Sequence, residues 1–149
     1  QMRFNNILIV CVGNICRSPM TEAIFKLHLQ QAQSPIKVSS AGIGALIGHP
    51  ADPFVNEILR EQKGIDCSAH RARQLNKEML AESELILVME NVHCKKIKRQ
   101  FPAACGKVHL LGNWSNFEIP DPYKMPKQFF VDIYHLILQG VEEWQTKLT

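Results

Sequence analysis

A chain of 149 residues, 46% apolar and 21% charged, has the size and composition of one folded domain with a proper core, which excludes a disordered segment. Its 17 basic and 14 acidic residues leave a net charge of +3, too mild to point to nucleic acid yet compatible with an anionic substrate. Five cysteines, at 11, 16, 67, 94 and 105, are odd in number and contain no Cys-x2-Cys pair, which argues against a disulfide framework or zinc ribbon and for a reducing, cytoplasmic setting.

Taken in order, the chain alternates strand and helix signals. Gln1 ahead of Met2 has the look of an expression remnant. Residues 7–10 are apolar and β-branched, as in a buried strand. The apolar stretch 7–12 is too short for a signal peptide, and no run approaches the length of a membrane span. Ser18 and Pro19 open a first helix over 18–31, Ser18 as cap, with Met20, Ala23, Ile24 and Leu27 on its inner face and His28 partly exposed. A second strand follows at 36–39, then a Gly- and Pro-rich loop over 40–53 that belongs beside Cys11. Asp52-Pro53 begins a helix that buries Val55, Ile58 and Leu59 and ends at Lys63-Gly64. Residues 65–73 read as irregular, 76–82 as a short helix capped by Asn76, and 85–89 as a third buried strand. The helix over 91–100 turns Lys95, Lys96, Lys98 and Arg99 outward as a solvated face. A fourth strand at 107–111 leads into a long loop over 112–126, and loops of that length tend to be functional. The last helix, 127–147, shows a core stripe of Phe130, Ile133, Ile137, Val141, Trp144 and Leu148. The pattern predicts a single α/β domain over 1–149, a Rossmann-like four-stranded parallel sheet with helices on both faces.

Chemistry concentrates where the first strand meets the first helix. Loop N–H groups and a helix N-terminus make an anion site there. The chain places Cys11 at one end of that loop and Arg17 at the other. A guanidinium fork suits two phosphoryl oxygens. A thiol among inward N–H groups and an arginine should ionise easily, with a pKa in the range of roughly 3.5–7.5. A thiolate beside a bound phosphoryl group is a nucleophile facing an electrophile. Gly13 is expected to let the loop turn without a Cβ clash, and Asn14 to tolerate left-handed backbone. Cys16 admits two readings of equal weight, a reversible disulfide partner for Cys11 or a small residue packed under the loop.

The run Cys11-Val12-Gly13-Asn14-Ile15-Cys16-Arg17-Ser18-Pro19 resembles the phosphate-binding loop of the low-molecular-weight protein tyrosine phosphatases. The likeness extends over nearly the whole chain and implies strand order 2-1-3-4. It implies Cys11 as nucleophile, Arg17 as phosphate clamp, and Val12, Gly13, Asn14, Ile15, Cys16 and Ser18 around the phosphoryl group, with Ser18 bonded to the thiolate. Asp121, in Ile119-Pro120-Asp121-Pro122-Tyr123, is similar to the family's general acid, held by flanking prolines. Tyr123 and Leu46 are implied as pocket walls, and Ser40 and His70 as supports of the loop. Leu46, where eukaryotic members carry an aromatic residue, resembles the bacterial Wzb-type subgroup. That subgroup implies a phosphotyrosine substrate on the tail of a membrane tyrosine autokinase of capsule or exopolysaccharide export, with inorganic phosphate as product. No metal or cofactor is expected, since arginine and backbone N–H groups supply the positive field. His49, His93, His109 and His135 have no ligand-like spacing.

Three rivals share these residues. A thioredoxin-coupled arsenate reductase needs further redox cysteines after the third strand, where this chain has Met89-Glu90, and Cys94 and Cys105 do not resemble that relay. A non-catalytic phosphotyrosine binder would need neither a thiol nor an acid. A redox switch built on Cys11 and Cys16 would regulate the phosphatase rather than replace it.

Overall fold

Alternating side chains of two central strands set the whole architecture. The computed structural model describes residues 4–148, so the reading of Gln1 and Met2 lies outside the described residues. Strand β1 (Asn6–Cys11) pairs in parallel with β2 (Lys37–Gly42) on one side and β3 (Leu85–Val88) on the other, and β3 pairs with β4 (Val108–Leu110). The order is β2-β1-β3-β4, all parallel, as expected. Ile7, Ile9, Leu85 and Leu87 face one core. Leu8, Val10, Ile86 and Val88 face the other. Side chains of a strand alternate between faces, so a strand buried on both sides must be apolar throughout.

The first face is covered by α1 (Arg17–Gln31), α2 (Pro53–Lys63) and α5 (Lys127–Leu148). The second carries α3 (Lys77–Glu82) and α4 (Asn91–Gln100), which insert Leu80 and Ile97. Local signals explain most of the boundaries. Asp52 caps α2 through the Phe54 amide at 2.9 Å, and Gly64 closes it in left-handed conformation at φ 65°. Asn76 caps α3 through the Met79 amide at 2.9 Å. The α5 stripe is buried as expected, and the Trp144 ring meets Trp114 of the 112–126 loop edge-on at 5.1 Å.

Three expectations need correction, and one element was not anticipated. Ser18 does not cap α1: Cys16 holds the cap position, no side chain caps the helix, and the Ser18 hydroxyl is turned to Cys11 instead. The inner face of α1 is Met20, Ile24, Phe25 and Leu29, whereas Ala23 and Leu27 are only partly covered, because the helix packs against both β2 and α5. Strand β2 runs on to Gly42, since Ser40, Ala41 and Gly42 keep register with Ile9, Val10 and Cys11. A short 3₁₀ turn, Pro102–Ala104, follows α4 and was not legible beforehand.

Candidate active site

The C-terminal ends of β1, β2 and β3 deliver the site, as open parallel sheets do. Residues 11–16 leave β1 and enter α1 through its uncapped first turn, whose free N–H groups favour an anion. A cavity of about 170 Å³ opens there. Cys11, Arg17 and Asp121 all line it, with Val12, Gly13, Ile15 and Cys16 of the loop. Leu46 and Tyr123 form its rim, at 37% and 43% exposed.

The nucleophile candidate is anchored by a chain of buried polar groups. Cys11 Sγ lies 2.9 Å from Ser18 Oγ. The Asn14 amide donates to Ser18 Oγ at 2.7 Å and to Ser40 Oγ at 3.0 Å. The Ser40 hydroxyl donates to Glu22 at 2.6 Å. Asn14 sits in left-handed backbone at φ 59°, as expected, and accepts the Arg73 amide on its Oδ1 at 2.9 Å. His70 Nε2 donates to the Asn14 carbonyl at 2.7 Å. Asn14 and Ser18 are fully buried behind the loop and do not line the cavity with the other loop residues. Ser40 and His70, expected as supports of the loop, both hydrogen-bond Asn14.

Gly13 is not the glycine on which the loop depends. Its backbone is not left-handed, and an added Cβ would meet nothing nearer than Ile15 Cγ1 at 3.7 Å. Gly42 is the crowded position: a Cβ there would lie 2.4 Å from the Val12 carbonyl oxygen. The 43–46 loop is laced onto the phosphate loop by Ile43, Gly44 and Leu46 amides, which donate to the Cys11, Val12 and Gly13 carbonyls at 2.9, 3.0 and 3.1 Å.

Arg17 is 2% exposed, and its Nη1 donates to Glu90 at 2.6 Å and to the Ile119 carbonyl at 2.8 Å. Its Nη2 stands 3.8 Å from Asp121 Oδ2. The Ile119 amide in turn donates to Met89 at 2.9 Å, so the long loop is fixed to the end of β3. Asp121 Oδ1 accepts the Tyr123 amide at 3.1 Å, an Asx turn that sets the carboxyl group beside the arginine. Cys16 is buried at the cavity floor. Burial, then Asp52, Cys11 and Asp121, push its thiol well above the ordinary value, against the opposing Arg17. All five cysteines are free.

Sequence reasoning missed Glu90, His93, Glu22 and Arg73. Glu90 stands two residues beyond the end of β3, and a charged residue just past the C-terminal end of a buried strand is a signal of a site. His93 is 5% exposed, with Nε2 3.5 Å from Glu90 and no partner for Nδ1. Burial first, and the Arg17 charge second, lower its pKa, against Glu90, Asp121 and Glu118. Among the described residues no three His, Cys, Asp or Glu side chains form a group able to hold a metal ion, and no helix is long and apolar enough to cross a membrane.

The family model described as "Low molecular weight phosphotyrosine protein phosphatase" matches residues 6–149. A probable low molecular weight protein-tyrosine-phosphatase EpsP from Ralstonia solanacearum is 44% identical, over 95% of this chain and 94% of the relative. The low molecular weight protein-tyrosine-phosphatase Wzb of Escherichia coli (strain K12) is 41% identical, over 97% and 96%. The structure of Vibrio vulnificus Wzb in complex with benzylphosphonate superposes with a TM-score of 0.91 at 41% identity, covering 97% of this chain and 99% of that one. With a match across the sheet, the loop and the acid segment alike, the chain belongs to the low molecular weight phosphotyrosine protein phosphatase family.

Proposed function

We propose that the protein hydrolyses phosphotyrosine through a phosphocysteine intermediate. The observation that carries this reading is that Asp121, far along the chain, lines one small cavity with Cys11 and Arg17 of the first loop. The Cys11 sulfur attacks phosphorus, an S–P bond forms, and the P–O bond to tyrosine breaks. Asp121 gives its proton to the departing phenolate. Asp121 then takes a proton from the water that attacks phosphorus, the S–P bond breaks, and inorganic phosphate leaves. Arg17 and the loop N–H groups hold the phosphoryl oxygens and balance their charge. Ser18, 2.9 Å from Sγ, eases departure of the thiolate in the second step.

The substrate we infer is a phosphotyrosine on the tail of a bacterial tyrosine autokinase that controls exopolysaccharide or capsule export, met in the cytoplasm. Likeness to the Wzb and EpsP proteins supports it. The rim of Leu46 and Tyr123 offers an aliphatic and an aromatic wall to a phenyl ring. An arsenate relay finds no support: Cys94 donates weakly to the Val108 carbonyl at 3.9 Å, Cys105 is exposed, and neither lines the cavity. The test is a phosphopeptide panel of phosphotyrosine against phosphoserine, run with wild type and Cys11→Ser. Turnover of phosphotyrosine alone, abolished in the variant while phosphate still binds, is the expected result. Retention of most activity by Cys11→Ser would end the covalent mechanism.

A further inference from the structure

A second cavity is separate from the one that holds Cys11. It lies behind the phosphate loop, between α1 and the 65–70 segment, and encloses about 450 Å³. Its floor is apolar, from Pro19, Ala23, Leu27 and Ile65. Its polar wall contains Glu22 and His70, the two side chains that brace the loop from behind. From Glu22 the bonds run through Ser40, Asn14 and Ser18 to the Cys11 sulfur. The rear cavity and the front one therefore share a continuous buried network.

The charge of the rear cavity is legible. Asp66 stays a carboxylate, its pKa lowered first by the Ser68 hydrogen bonds. Glu22 carries one cation, Lys26 Nζ at 2.6 Å, on a side chain that is more than half exposed. On the wall, burial first, then Glu22 and Asp66, raise the pKa of the Cys67 thiol to about 11, against the opposing Lys26. The adjoining hollow beyond Glu22 and His70 is lined by Arg71 and Arg73 and has the opposite sign, which confines a cation to the Asp66 side.

We propose that this rear cavity binds a small organic cation, an amidinium or guanidinium on an apolar body, and that its occupancy slows the phosphatase through Glu22. The apolar body fits the floor, and the planar cation takes both carboxylate oxygens of Glu22. One oxygen is won from Lys26, an exposed pair of small strength. The other is won from Ser40, which frees that hydroxyl and slackens the hold of Asn14 on Ser18.

The probe is benzamidine, with benzamide as neutral isostere and benzoate as anionic control. Amide shifts are recorded with the front cavity saturated by inorganic phosphate, so that binding is read independently of hydrolysis. Expected are shifts along 65–70 and the outer face of α1, for benzamidine only. Asp66→Asn should weaken binding about threefold, the scale of an exposed ion pair, and leave basal turnover unchanged. Lys26→Ala should tighten binding by a similar factor. Aryl phosphate hydrolysis should show a lower kcat at nearly constant KM. Equal binding of benzamide, indifference to both variants, loss of binding in phosphate, or competitive inhibition would each overturn the proposal.

Discussion

Arg17 Nη1 is fully committed to Glu90 Oε2 at 2.6 Å and the Ile119 carbonyl at 2.8 Å, which leaves Nη2 and Nε for a phosphoryl group. A guanidinium gripped on one edge is preorganised on the other, so no freedom is lost when substrate arrives. Glu90→Ala removes the grip while sparing every group that touches substrate. We expect kcat/KM on an aryl phosphate to fall by up to about 10²-fold, the scale of a misplaced catalytic group. An unchanged value would show that the Ile119 carbonyl suffices to aim the arginine.

Asp121→Asn should slow hydrolysis of a phenyl phosphate by about 10²–10⁴-fold. The loss should shrink for a nitrophenyl ester, whose leaving group needs no proton. Steady-state rates on the two esters check this, and equal losses would remove Asp121 from the acid role. Arg17→Lys should be severely impaired on both esters, because a point charge cannot replace the fork.

Asn14→Ala strips partners from Ser18, Ser40 and the Arg73 amide in a buried setting. Each orphaned group costs about 1–3 kcal/mol. A large drop in Tm, with loss of activity at temperatures where the variant is still folded, is the expected outcome of melting curves and parallel assays.

Gly42→Ala would set a Cβ against the Val12 carbonyl oxygen, a backbone atom that cannot step aside alone. Forced repacking of this kind costs about 1–3 kcal/mol. Gly13→Ala meets only ordinary contacts and should cost less. Denaturant midpoints of the two variants give the comparison, and the reverse order would refute it.

His93 links stability to acid. Its folded pKa lies below the ordinary 6.5, so the unfolded chain binds the proton more readily. The stability involved is fully present above pH 6.5 and drains away as pH falls below it. His109, also lowered by burial, acts in the same sense. The Tm difference between pH 7.5 and 5.5, two assay points set about one unit either side of the ordinary histidine value, should shrink in His93→Asn. An undiminished difference would assign the acid sensitivity elsewhere.

The sheet was legible because its strands are buried on both faces and therefore read as plain apolar runs between turn signals. Cys11 and Arg17 were legible as candidates because they sit in one loop with its own local chemistry, whereas Asp121, between two prolines, was singled out through the family resemblance. What escaped were contacts between segments. Glu90 meets Arg17 across 73 positions, and Glu22 meets Ser40 across 18. No periodicity encodes such pairs. Of the two roles expected of Ser18, the cap is absent and the contact with the thiol seven positions back is present, because one hydroxyl faces the sulfur and not the helix amides.

The chain has two tryptophans, and one of them, Trp114, rides on the segment that carries Asp121. Its partner Trp144 is buried in α5, with Nε1 donating to the Leu110 carbonyl at 3.1 Å. Because the edge of one ring meets the face of the other, intrinsic fluorescence reports whether the segment that carries Asp121 is docked on the body of the molecule. Movement of that segment is thus observable in the native protein, without any attached dye.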